Sequence, residues 1–238
     1  TVVPWPSILL AAEQHAKSGA ADLAATVREE TGAALVVSGG YYRTGDSLRF
    51  QVSITDMRDG RLVAAIPPVV VVKDSAASAV RELRDRVMGA LAVALDERMP
   101  PEVDLAAHPP TWEAYRAFDR GMAEFNRYDY AKADTSLREA WALDTTFVPA
   151  LLYATFAVVN EGDAVRGDSL LAQVMLRRRH LSGYHAALVG YLEAYLAGDR
   201  SQALPKILLA AGLAPSSRAG YNAAFVMLQL NRPREADS

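Results

Sequence analysis

Four histidines, His15, His108, His180 and His185, are the side chains of this 238-residue chain best suited to metal or acid–base chemistry. Their arrangement does not favour it. His180 and His185 lie five apart across an expected loop–helix junction, and no carboxylate motif such as H-E-x-x-H accompanies them. Ser38-Gly39-Gly40 suggests a phosphate loop, yet it lacks the G-x-x-x-x-G-K-[ST] pattern. It lies inside a strand pattern, where glycine marks a bulge or close packing. Asp56 and Asp59 bring two carboxylates to a turn, where aspartate serves backbone hydrogen bonds. There is no cysteine, which removes thiolate nucleophiles and thiolate metal sites. No G-x-S-x-G elbow or kinase signature set occurs. The expectation is a chain with no catalytic residue, cofactor or metal of its own. The one basic cluster, Arg177, Arg178, Arg179 and His180, is expected to end a helix, where cations interact favourably with the helix dipole. It reads as a solvated turn or as a contact for an anionic partner.

Composition bounds the partner class. Hydrophobic residues make up 51% and charged residues 22%, so the chain can bury a core. The net charge of −3 argues against nucleic acid, which requires a basic excess. No apolar run approaches the ~18–20 residues of a membrane span. The start, "TVVPWP", reads as the inside of a strand, and the end, "NRPREADS", stops one turn into a helix. Both predict an internal piece of a longer protein.

Two textures follow. Residues 1–99 mix helix and strand, 100–110 form a proline-rich linker, and 111–238 are helical throughout. In the first region "SGAADLAATVREETG" predicts a helix capped by Ser18 and stopped by Gly32. "AALVVSGGYY" predicts a buried strand. "SLRFQVSIT" alternates, with Leu48, Phe50, Val52 and Ile54 on one face and Ser47, Arg49, Gln51 and Ser53 on the other. "RTGD" and "DMRDG" are the turns to either side, and "RLVAAIPPVVVV" is the next strand. Asp74 or Ser75 caps a long helix whose stripe is Val80, Leu83, Val87, Leu91 and Leu95. The expected order is strand, helix, three-strand meander, helix.

The second region repeats. Small residues recur at Ala133, Gly167, Ala203 and Ala236, in steps of 34, 36 and 33, with large ones at Leu137, Leu171 and Ile207. A period near 34 residues, with helix–turn–helix in each unit, predicts a helical solenoid. The fold class is therefore α+β: a small α/β sandwich followed by an all-α solenoid.

On these residues the second region resembles the tetratricopeptide repeat family. Gly121, Ala133, Leu137 and Ala140 carry the likeness in the first unit. Gly198, Asp199, Ala203, Ile207, Ala210 and Pro215 carry it in the third. The second unit departs, with Gly167 for the usual Ala and no closing proline. The stretch "VREETGAALVVSGGYYRTGDSLRFQVSITDMRDGRLV" resembles the later part of a TolB-like or FlgO-like amino-terminal domain. Gly32, Ala33, Val37, Gly39, Gly45, Asp46, Leu48, Arg49, Asp56 and Gly60 fit its pattern. That family's first strand and helix are missing, and "TVVPW" would be its second strand. The pairing of these two domains is familiar from bacterial signalling proteins, after a kinase, cyclase or winged-helix domain and usually beyond a membrane helix. The resemblance thus favours the extracytoplasmic side of a membrane over the cytoplasmic one, while the residues themselves do not give the side.

By the same resemblance Phe118, Met122, Phe125, Leu152, Phe156, Leu188, Leu192 and Tyr195 would line an inner groove that takes an apolar strip or helix of a protein or peptide partner. The same spacing also suits core residues. The function expected is a non-catalytic interaction and scaffold module. The alternatives are a permanent structural subunit and the regulatory portion of a kinase or cyclase.

Overall fold

The computed structural model describes residues 2–18, 22–96, 109–181 and 183–233. The linker lies largely outside these residues, as do His108, Ala236 and the side chains of Ser18 and His180. The chain divides into two compact units, and the division falls between Val87 and Met88.

The first unit opens with a helix, α1 (Trp5–Ser18), and not with a strand. Pro4 and Pro6 are compatible with a helix start, because the first N–H groups have no intrahelical acceptor. A second helix, α2 (Leu23–Thr31), begins at Asp22 rather than Ser18. The Asp22 carboxylate accepts from the Ala24 N–H at 2.9 Å, and Gly32 closes the helix at φ 69°. Ala11, Val27, Val36 and Met57 form a small core between these helices and the start of the sheet.

The sheet is an antiparallel meander, β1 (Leu35–Thr44), β2 (Ser47–Asp56) and β3 (Arg61–Val72), in the order β1-β2-β3. Gly45 at φ 59° and Gly60 at φ 75° make the two turns. Along β2, Ile54 is buried while Arg49 and Gln51 are exposed, as the alternation predicts. Opposite Gln51 the ladder with β3 skips a residue, so that Phe50 pairs with Val69 and Val52 with Ile66. Pro67 and Pro68 fall in that gap. They have no N–H to give, and the strand bulges around them. Gly39 shows the close approach expected of a strand glycine: a Cβ there would lie 2.4 Å from the Gln51 carbonyl oxygen.

A 3-10 turn at Lys73–Ser75 leads into α3 (Ala76–Leu95). Its buried stripe is Ala79, Leu83, Ala90 and Val93, and Val80 and Leu95 are exposed. The expected stripe is thus rotated toward the small residues. Gly89 shows why: a Cβ there would fall 1.9 Å from the Pro110 carbonyl oxygen, so the helix approaches a backbone that no side chain could clear.

The second unit is a helical repeat. Its helices are α4 (Trp112–Asn126), α5 (Tyr130–Leu143), α6 (Val148–Asn160), α7 (Ala164–Met175), α8 (Gly183–Leu196), α9 (Arg200–Leu213) and α10 (Ala219–Gln229). They pair as α4 with α5, α6 with α7 and α8 with α9. One continuous core runs through all of them and takes in Val93 of α3. Small residues sit where paired helices cross. Ala133, Ala140, Ala203 and Ala210 are fully buried, and Leu137 lies over Gly121, 2.7 Å from where a Cβ would be. Gly167 has its own cause: a Cβ there would meet Val159 Cγ2 at 2.7 Å.

A second periodicity marks the turns. Left-handed backbone occurs at Tyr128, Gly162, Gly198 and Asn231, again in steps of 34, 36 and 33. An aspartate follows each of the first three. Asp163 and Asp199 cap the next helix by accepting from Arg166 N–H and Gln202 N–H, whereas Asp129 bonds the Lys132 ammonium at 2.6 Å.

Candidate functional site

The side chains expected to line an open groove form the core of the second unit. Phe118, Phe125, Leu152, Phe156, Leu188 and Leu192 are buried, and Met122 and Tyr195 are half-buried. Aromatic rings from neighbouring pairs fill the space a ligand would need. Phe118 meets Phe147 at 4.9 Å and Tyr153 at 5.8 Å between ring centroids. Phe125 meets Tyr130 and Tyr153, and Phe156 stacks on Tyr191 at 6.2 Å. Tyr191 continues to Tyr195, over which the Arg200 guanidinium lies at 3.8 Å. Burial drives the Tyr153 hydroxyl pKa well up, so this phenol stays neutral. Helical spacing identifies the apolar face correctly. It does not say that the protein itself covers that face.

What remains exposed is a cluster at one end of this aromatic row. Arg218, one residue before α10, places its guanidinium 5.5 Å from the ring centres of both Phe125 and Tyr128. The last inner helix thereby reaches the turn after the first. Tyr128 is 70% exposed and Tyr221 74%. Tyr221 and Arg218 are both close enough to Tyr130 to act on its hydroxyl electrostatically. Arg218 makes no ion pair among the described residues. A cation–π contact occupies the faces of a guanidinium and leaves its N–H edge open to an acceptor. Sequence reasoning missed this cluster. The one available signal was Tyr128 at a repeat position filled elsewhere by glycine or asparagine.

The basic run is not the end of a helix. α7 stops at Met175, Arg177 follows, and Arg178–His180 is a separate 3-10 turn. Arg177 lies over Trp141 at 4.8 Å and donates to the Gln173 carbonyl, while Arg178 and Arg179 are exposed. Of the run, Arg177 is thus half-buried against Trp141, and Arg178 and Arg179 are the exposed members.

The other candidates among the described residues make structural contacts. His15 bonds Thr26 Oγ1 at 3.2 Å, and His185 is buried beside the rings of Tyr153 and Tyr184. Burial lowers the His185 pKa to about 4, which keeps the ring neutral. Asp56 holds Arg58 at 2.6 Å and Asp59 lies 3.9 Å from Arg61, so both carboxylates brace the β2–β3 turn. The hydrogen bonds from Arg58 hold the Asp56 pKa at about 2. Ser38, Gly40, Tyr42, Gln51 and Ser53 line an open trough of about 910 Å³ on the sheet face, with the Ser38 and Ser53 hydroxyls 3.3 Å apart. No helix among the described residues is long and apolar enough to cross a membrane.

No family model matches the chain, and no curated protein matches it. Among solved structures, a MamA mutant matches with 20% sequence identity, over 52% of this chain and 91% of that one, at a TM-score of 0.24.

Proposed function

We propose that this chain is a non-catalytic protein-interaction module, a TolB-like α/β unit followed by tetratricopeptide-type helix pairs. It belongs to a larger bacterial signalling or membrane-associated protein and works on the extracytoplasmic side. The single observation that carries the interaction role is the Arg218 cluster. A guanidinium that makes no ion pair among the described residues sits over Phe125 and Tyr128, and both it and Tyr221 act on the Tyr130 hydroxyl. Tyrosine and arginine are the side chains most enriched at the energetic centres of protein contacts. The surface fits a protein segment that brings a carboxylate to Arg218 and an apolar group to the tyrosines.

The test is quantitative co-purification with the native full-length protein. Arg218→Glu and Tyr221→Ala should each lower recovery of a specific partner by about tenfold, the effect of roughly 1.4 kcal/mol at a contact centre. Val165→Asp, at a site on α7 that is 81% exposed, should leave recovery unchanged. Equal recovery with all three variants sinks the assignment.

A further inference from the structure

The two edges of the sheet are unequal. Among the described residues β1 and β3 each pair only with β2. β3 is a poor template for a further strand, because Pro67 and Pro68 give no N–H and its register shifts twice. β1 is a good one. It runs from Leu35 to Thr44 in unbroken register with β2, with no proline and no charge before Arg43. Val37 is 45% exposed and Tyr41 69%.

The ladder fixes which backbone groups of β1 point away from β2. The Met57 N–H donates to the Ala34 carbonyl at 2.8 Å. Even-numbered residues of this strand therefore turn toward β2, since the direction alternates along an antiparallel strand. The Lys73 N–H donates to the Asp46 carbonyl at 2.9 Å, so even residues of β2 serve β3 and odd ones serve β1. The two assignments agree, because the register pairs even residues of β1 with odd residues of β2. Leu35, Val37, Gly39, Tyr41 and Arg43 thus direct N–H and C=O outward.

We propose that this edge pairs antiparallel with β1 of a second copy of the chain, about a twofold axis at Gly39. That register uses every outward residue. Gly39 lies opposite its own copy, Val37 opposite Tyr41, and Leu35 opposite Arg43. Opposed residues share a sheet face, and a β-branched residue facing an aromatic is a favoured cross-strand pair. A shift by two residues in either direction leaves an end residue without its partner. No like charges meet, and the edge carries none of the lysines, prolines or bulges that keep copies of a strand apart. Self-pairing of one patch is also what a twofold interface requires.

Sedimentation of the full chain across the micromolar range tests this. The unmodified chain should show a monomer–dimer equilibrium. Val37→Lys with Tyr41→Lys sets like charges opposite each other and should give monomer, with unchanged far-UV circular dichroism. Val37→Lys with Tyr41→Glu sets opposite charges face to face and should restore the dimer. The idea is overturned by a chain that stays monomeric, by a double-lysine variant that still dimerises, or by two charge variants that behave alike. Hydrogen exchange gives a readout without substitution: the Val37, Gly39 and Tyr41 amides should slow as concentration rises. Exchange independent of concentration overturns it equally.

Discussion

Gly121, on the first helix of its pair, and Gly167, on the second helix of the next, are both crowded by the facing helix, yet alanine should not act alike at the two. At Gly121 the new methyl would crowd both the Leu137 side chain at 2.7 Å and its backbone nitrogen at 3.1 Å. Backbone cannot yield cheaply, so Gly121→Ala should cost about 1–3 kcal/mol in chemical denaturation. At Gly167 only the Val159 methyl is that close, and alanine gains up to about 1 kcal/mol of helix propensity. The Gly167→Ala variant should unfold near the wild-type midpoint. His185 sets a pH dependence. Its unfolded pKa is near 6.5 and burial lowers the folded value to about 4. A depressed folded value means stability is complete above about 6.5 and is lost as pH falls toward 4, by roughly 3 kcal/mol. His185→Gln should flatten that fall in urea midpoints measured against pH. Phe156→Asp and Leu192→Asp belong with changes to the core. They bury a charge in a core position and should cost at least about 3 kcal/mol, visible as lost cooperative unfolding.

The helix pairs depend on turns that reverse the chain through left-handed backbone. Gly198 adopts φ 79°, and a Cβ there would meet nothing within 4 Å. Gly198→Ala should therefore cost about 1–2 kcal/mol by backbone conformation alone, and a thermal melt should show it without any change in packing. The 34-residue recurrence of small and large residues made α4 to α10 legible in the sequence, because each crossing admits only a small side chain. Strict alternation made β2 legible for the same kind of reason. The helix α1 was not legible: two prolines and a valine pair resemble an extended segment, and proline is equally at home at a helix start. Groove and core stayed open alternatives for these residues, because periodicity reports which face of a helix is apolar and leaves open which neighbour covers it. Phe147, Tyr153 and Tyr191, from the adjoining pair and the one after, supply that cover. The Arg218 cluster joins residues some ninety positions apart, a distance no local pattern spans.

At the scale of the whole molecule, the division inside α3 is the feature composition could not give. The change of texture near residue 100 suggests a helical region that begins with Thr111. Val93 nevertheless belongs to the core of the helical unit, and Gly89 lies against the Pro110 backbone. The Tyr115 hydroxyl also donates to the Asp96 carboxylate at 2.9 Å. The second half of α3 thus contributes to the core of the repeat at the end where α4 has no preceding helix pair. Terminal layers of a solenoid need cover, because an inner face left in water gives up its burial energy. A fragment spanning 88–238 should therefore unfold cooperatively, and one spanning 111–238 should melt several degrees lower, since roughly 1 kcal/mol shifts a domain of this size by about 4 °C. Differential scanning calorimetry of the two fragments decides the matter. Equal midpoints would mean that the last turns of α3 do not serve the helical unit and that its structural boundary lies beyond that helix.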